Sequence, residues 1–325
     1  MLNPKAKKII STILKITIFL LVFWYVYHLL TRNSALADFK GLLLTVDSQV
    51  IYSSLAVVFI LMAMNWLVEA LKWRYICLQF QPVSLKTAIE SVLCGLSWAI
   101  FTPNRIGEYG GRVLFLSPKK RVFGVIGMGM GAISQMVITN VVGVFAFSWF
   151  LYIYLNIRGL WFIGVFVLAL IYATFFLLLY FRIGLINNLL VKISFLKRYQ
   201  RFFGLLLRYG QKKLRKIFLY SLVRYSIFTS QYCLLMQVLI PNLPFFEMVM
   251  MISILFFVQS ALPSLDLFDV GVRSITATYF FGFLTDQNVA VMAIAACIWF
   301  VNLIIPAIIG SFFTFKINFF GTNSN

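Results

Sequence analysis

Residues 159–181 contain no charged side chain. As a helix rising about 1.5 Å per residue they reach about 34 Å, enough to cross the roughly 30 Å hydrocarbon core of a bilayer. Apolar runs of similar length recur at about 9–30, 50–71, 122–150, 217–239 and 289–314, so the chain is expected to contain six full spans. Hydrophobic residues make up 62% of the 325 and charged ones 11%, which leaves too little polar surface for a water-soluble domain. In lipid, backbone groups must bond within their own segment, so the expected fold is an all-α polytopic membrane protein formed by a single domain over residues 1–325.

The formal net charge of +19 is distributed in short clusters between apolar runs. Nucleic acid is therefore not an expected partner, because its binding needs a solvated basic face. The clusters instead suit cytoplasmic anchors on anionic lipid. Lys5, Lys7 and Lys8 precede the run 9–30, which is too long for a secretory h-region and is taken as an uncleaved first helix. Cys77, Cys94, Cys233 and Cys297 are widely spaced, and His28, the sole histidine, lies near the end of the first run. Neither a disulfide framework nor a metal site is expected, and no cofactor is implied. Gly127-Met-Gly-Met-Gly131 lacks the strand and lysine of a nucleotide loop, and Gly127 with Gly131 has the GxxxG spacing of a helix contact.

Two apolar regions are interrupted. Region 87–116 is broken at Thr102-Pro-Asn-Arg-Ile-Gly-Glu-Tyr-Gly-Gly-Arg112, and region 247–284 at Pro263-Ser-Leu-Asp-Leu-Phe-Asp-Val-Gly-Val-Arg273. Each half is too short to span as a straight helix. If residues 87–101 crossed fully, Lys119, Lys120, Arg121 and the acid-free basic stretch from Arg182 to Lys216 would lie outside, against the positive-inside rule. Entry and return from the cytoplasm keeps these clusters inside. The same treatment of 247–284, entered from the opposite face, brings Lys316 inside too.

Two re-entrant helical hairpins result, in inverted repeats of about 50–150 and 217–314. Inverted repeats meeting at broken helices are a recurring plan of secondary transporters. The breaks share an acid-x-Gly-x-Arg pattern, Glu108 to Arg112 and Asp269 to Arg273, with Pro103 and Pro263 upstream. The segment 183–216 alternates apolar and basic residues and suits an interfacial amphipathic helix, where a cytoplasmic partner could dock.

Ionised side chains at mid-membrane cost on the order of 2.5–3.5 kcal/mol each, so Arg105, Glu108 and Arg112 must pair or line water. Backbone released around Pro103, Gly107, Gly110 and Gly111 carries the same demand. The second break adds Asp266, Asp269, Gly271 and Arg273. Arginine suits bidentate binding of phosphate or carboxylate. Arg105, Arg112 and Arg273, with Asn104 and Arg224, are therefore the candidate head-group ligands. Glu108, Asp269, Asp266 and Glu69 are the candidates for proton or ion coupling. Asn65, Glu69 and Lys72 fall on one face of span 50–71. Polar patches at Ser134, Gln135, Thr139 and Asn140, and at Thr229, Ser230 and Gln231, suit hydrogen-bonded helix packing or a cavity wall.

Phe101 to Arg112 and Leu262-Pro-Ser to Gly-Val-Arg273 resemble the two signature segments of the lysylphosphatidylglycerol synthase transmembrane-region family, the flippase-like domain of multiple peptide resistance factors. Asp266-Leu-Phe-Asp269 stands where the family has a glycine-rich form. The resemblance covers nearly the whole chain and implies a lipid translocase in a bacterial cytoplasmic membrane, both termini cytoplasmic, with anionic or zwitterionic membrane lipids as partners. About ten residues follow the last span, so the family's aminoacyl-transferase activity is not expected. Alternative functions are an ion-coupled small-solute carrier, an integral-membrane enzyme acting on lipid-linked intermediates, and a partner protein for such an enzyme.

Overall fold

The computed structural model describes residues 47–100, 102, 105–182, 209–261 and 266–316, with side chains from 271 onward in the last range, and isolated positions 13, 16, 17, 20, 24 and 41. Most of the expected first span 9–30, most of the segment 183–216, and His28, Pro103, Asn104 and Pro263 lie outside these residues.

Every regular element among the described residues is helical. In chain order they are α1 (Ser48–Cys77), α2 (Leu85–Ala99), α3 (Ile106–Val113), α4 (Arg121–Ile153), α5 (Leu160–Phe181), α6 (Gln211–Leu239), α7 (Phe245–Ala261), α8 (Asp266–Phe281), α9 (Asn288–Trp299) and α10 (Ile305–Phe313). A π-helical turn, Phe300–Ile304, joins α9 to α10. Among the described residues, four stretches are long and apolar enough to cross a membrane: Ser48–Cys77, Pro118–Ile153, Leu160–Phe181 and Asn288–Lys316. The expected span 217–239 lies within α6, which has the length but carries Arg224, Gln231 and Gln237. Local signals place the helix starts. Asp47 accepts a hydrogen bond from the Gln49 amide at 3.0 Å, and Ser84 accepts one from the Thr87 amide at 3.1 Å, each satisfying an N–H that a helix start leaves without an intrahelical partner.

Contacts between loops define two ends of the bundle. At one, Lys213 donates to Gln79 at 2.5 Å, Ser117 to Gln81 at 3.0 Å, and Gln211 to the Phe181 carbonyl. At the other, Tyr154 donates to Glu247 at 2.9 Å and meets Phe283 edge to face with ring centroids 5.4 Å apart. Each interrupted region therefore starts and finishes at a single end, α2–α3 at the first and α7–α8 at the second. The halves of each region pack on one another.

Between regions, α1 packs along α6, α2 along α10, and α7 along α4. The α2–α10 approach is close enough that a Cβ on Gly310 would sit 1.8 Å from the Leu93 carbonyl oxygen. One apolar cluster, including Val58, Phe150, Tyr232, Met251, Phe281 and Ile294, fills the second end; another, including Trp73, Ile76, Leu96, Val137 and Ile217, fills the first. On α5 most side chains are exposed, among them Leu160, Trp161 and Leu168, as suits a helix facing lipid tails.

Candidate functional site

The break before α3 is built by Thr102. Its hydroxyl donates to the Ala99 carbonyl at 3.2 Å and accepts from the Gly107 amide at 2.7 Å, so it bridges the end of α2 and the start of α3. Two backbone groups that an interrupted helix would leave bare at depth are thereby satisfied. Arg105 caps α3 in the left-handed region with φ 57°, a conformation unusual for a residue with a Cβ and held here by the short connection between two packed helices. That packing depends on glycines. A Cβ on Gly107 would lie 2.2 Å from the Trp98 carbonyl oxygen, and one on Gly111 would lie 2.6 Å from the Gly95 Cα. Gly110 would make only ordinary contact with the Trp98 ring, and Gly271 on α8 faces open space.

With α3 held against α2, Arg112 points toward α1. Its side chain is 4% exposed and bonds Glu69 Oε1 at 2.7 Å and Glu108 on its own helix. Glu69 Oε2 accepts from Lys72 at 2.7 Å and from Arg224 of α6. Arg224 also donates to Asn65 at 2.8 Å and lies over the Trp66 ring at 5.0 Å, so it turns into the bundle instead of reaching for the interface. Arg105 completes the set, 3.4 Å from Glu108 Oε2. Glu69 is the hub, with both oxygens occupied by cations from α1, α3 and α6. A buried charge is tolerated only when paired and hydrogen-bonded, and this network meets that condition for Glu69.

Beside the network lies a cavity of about 370 Å³ lined by Arg105, Arg224 and Arg273, which come from α3's start, α6 and α8. An adjoining cavity of about 360 Å³ is lined by Glu69, Lys72, Glu108 and Arg112, and shares Trp66, Arg105, Gln135, Thr139, Arg224 and Ser260 with the first. Even with the two aspartates of α8 counted, Lys72, Arg105, Arg112, Arg224 and Arg273 outnumber the carboxylates Glu69, Glu108, Asp266 and Asp269 by one. The site can therefore hold an anion.

The structure brings together Arg105, Arg112, Arg224, Glu108 and Glu69 from the sequence-derived candidates, and sets Arg273 on the same cavity. Asp266 and Asp269 lie on the first turn of α8, and their side chains are outside the described residues, as are Asn104, Pro103 and Pro263. In the polar patches, Gln135 and Thr139 line the cavity, while Asn140 accepts from Tyr172 at 2.5 Å and Gln231 donates to the Val58 carbonyl at 3.0 Å, both as packing bonds.

The π turn supplies what sequence reasoning missed. Pro306 has no N–H to offer the carbonyl four residues back, and its ring crowds that oxygen, so the Asn302 carbonyl is released and accepts from Trp66 Nε1 at 3.1 Å. Asn302, Trp299 and Trp66 thereby become cavity walls. The available signal was a proline inside the run 289–314 with an asparagine four residues before it.

No protein-family model, curated protein or solved structure matches the chain.

Proposed function

We propose that the chain is a lipid translocase: it moves the polar head group of a membrane lipid between leaflets through the cavity beside the two broken segments, while the acyl chains stay in the bilayer. The observation that carries this reading is the convergence of Arg105, Arg224 and Arg273, from three separate elements, on one cavity whose walls also include Trp66, Phe228 and Phe256. Guanidinium groups hold phosphate bidentately, and a wall part aromatic and part cationic suits a molecule with one charged end and one greasy one.

The finer architecture belongs to the same proposal: six spans and two re-entrant hairpins in inverted repeats, in a bacterial cytoplasmic membrane with both termini cytoplasmic. Two features support it. Each interrupted region returns to the end of the bundle from which it starts, and the two use opposite ends. The packing is also reciprocal, with α2 of the first region on the last helix of the second repeat and α7 of the second region on the last helix of the first repeat. The flippase-like family resemblance of the two breaks points to the same cargo class.

The test is reconstitution into liposomes carrying a panel of fluorescent lipids, with a membrane-impermeant quencher added outside. The expected result is protein-dependent exposure of inner-leaflet lipid. Arg224→Gln should slow it by about tenfold, the equivalent of one charge-assisted hydrogen bond. Folded protein that exposes no lipid of the panel would overturn the proposal.

A further inference from the structure

Four side chains that line the cavity carry a buried polar atom with no hydrogen-bond partner among the described residues: Trp299 Nε1, Gln259 Nε2, Gln135 Oε1 and Asn302 Oδ1. Trp299 is 2% exposed and Asn302 5%, so water outside the protein does not serve them. The Asn302 Nδ2 donates to the Ile298 carbonyl at 3.1 Å, which assigns the unpartnered position to the acceptor Oδ1. Buried polar atoms without partners are uncommon, and four on one cavity mark the place where an occupant supplies the missing bonds.

Two of the four are donors and two are acceptors. A phosphate only accepts, so it would satisfy the indole and the Gln259 amide but leave the two carbonyl oxygens bare. An ammonium only donates, so it would leave the indole and the Gln259 amide bare, and it would enter beside Arg224 and Arg273 with Glu69 and Glu108, the carboxylates described at the site, already engaged by Lys72, Arg105, Arg112 and Arg224. The ring face of Trp66 is already covered by Arg224. A hydroxyl both donates and accepts and carries no charge.

From this complementarity we infer that the site recognises a polyol phosphate: a phosphate held by the arginines, whose neighbouring hydroxyls bond Trp299, Gln259, Gln135 and Asn302. Under the translocase proposal, on which the lipid form of this ligand rests, the cargo is an anionic phosphodiester lipid with a hydroxylated head group and no amine.

The experiment measures binding, not transport, so it stands apart from the test of translocation. Protein purified in detergent is mixed with equimolar phosphatidylglycerol, phosphatidylinositol, phosphatidic acid and phosphatidylethanolamine, and retained lipid is read by native mass spectrometry. The two polyol lipids should be retained about tenfold over phosphatidic acid and over phosphatidylethanolamine. Gln259→Leu, with melting temperature unchanged, should bring retention of the two polyol lipids down to that of phosphatidic acid. Excess sn-glycerol 3-phosphate separates the two sources of the ligand: displacement assigns recognition to the free polyol phosphate, and retention of the lipid against it assigns recognition to the lipid-borne form. Equal retention of phosphatidylglycerol and phosphatidic acid, preferential retention of phosphatidylethanolamine, or a preference untouched by Gln259→Leu would overturn the inference, whether or not the protein moves lipid.

Discussion

Glu69 binds three cations through two oxygens, and they come from three helices. Replacing it with glutamine leaves Lys72 and Arg224 buried without a carboxylate among the described residues, and Arg112 with Glu108 alone. Breaking a buried pair by removing one partner costs about 3–5 kcal/mol, so Glu69→Gln is expected to lower unfolding stability by that amount, measured by chemical denaturation in detergent. Glu108→Gln should cost less, because the Glu108 side chain is 15% exposed and Arg112 keeps its bond to Glu69. Under the translocase proposal the same asymmetry makes Glu108 the better candidate for proton coupling: a proton there weakens its pairs with Arg105 and Arg112 while the Glu69 hub stays intact. Lipid movement by Glu108→Gln should therefore lose its dependence on pH across the range where the parent protein responds, and a parent-like profile in that variant would remove Glu108 from the coupling role. Spacing along one helix already placed Asn65, Glu69 and Lys72 on one face. It could not place Arg112 and Arg224 beside them, because periodicity within a helix says nothing about which distant helix it meets.

At the level of elements, glycines set how closely the short helices approach. A methyl group on Gly310 would meet a backbone carbonyl, which cannot move aside without shifting α2. Gly310→Ala should then cost about 1–3 kcal/mol by overpacking, while Gly129→Ala, with nothing within 4 Å of the added carbon, should be neutral or stabilising by up to about 1 kcal/mol; thermal unfolding of both variants checks the contrast. The sequence spacing Gly127–Gly131 did mark a contact face, since a Cβ on Gly127 would press on Ile76 at 2.6 Å. The tighter α2–α10 crossing went unseen because a lone glycine in an apolar run carries no statement about its neighbour. The breaks were legible for the opposite reason. Charges, prolines and glycines inside a hydrophobic stretch are costly in lipid wherever the partners turn out to lie. The π turn fell between these cases, since a proline in a membrane helix signals a released carbonyl but not the donor that captures it.

Across the whole molecule, the exchange of arms between the two regions couples each break to the far half of the chain: α2 rests on α10, and α7 on α4. Under the proposed inverted-repeat architecture, a movement of one interrupted region would displace the closing helix of the other repeat, which is the mechanical link that alternating exposure of a shared cavity requires. This arrangement depends on opposite insertion of the hairpins, and side-specific labelling can test that insertion. The native Cys77, Cys94, Cys233 and Cys297 are buried, so they give little background to a water-soluble maleimide. The loops at the end of the bundle that holds Gln79, Ser117 and Lys213 are rich in lysine and arginine, and positive charge favours the cytoplasmic face. Lys86→Cys, Lys119→Cys and Lys212→Cys should accordingly react only after the membrane is permeabilised. Arg158→Cys and Asp286→Cys, at the end that holds Tyr154 and Glu247, should react in intact cells. Labelling of Lys86→Cys and Lys119→Cys from opposite sides would mean that 87–116 crosses the membrane once, and the inverted-repeat architecture would fall with it.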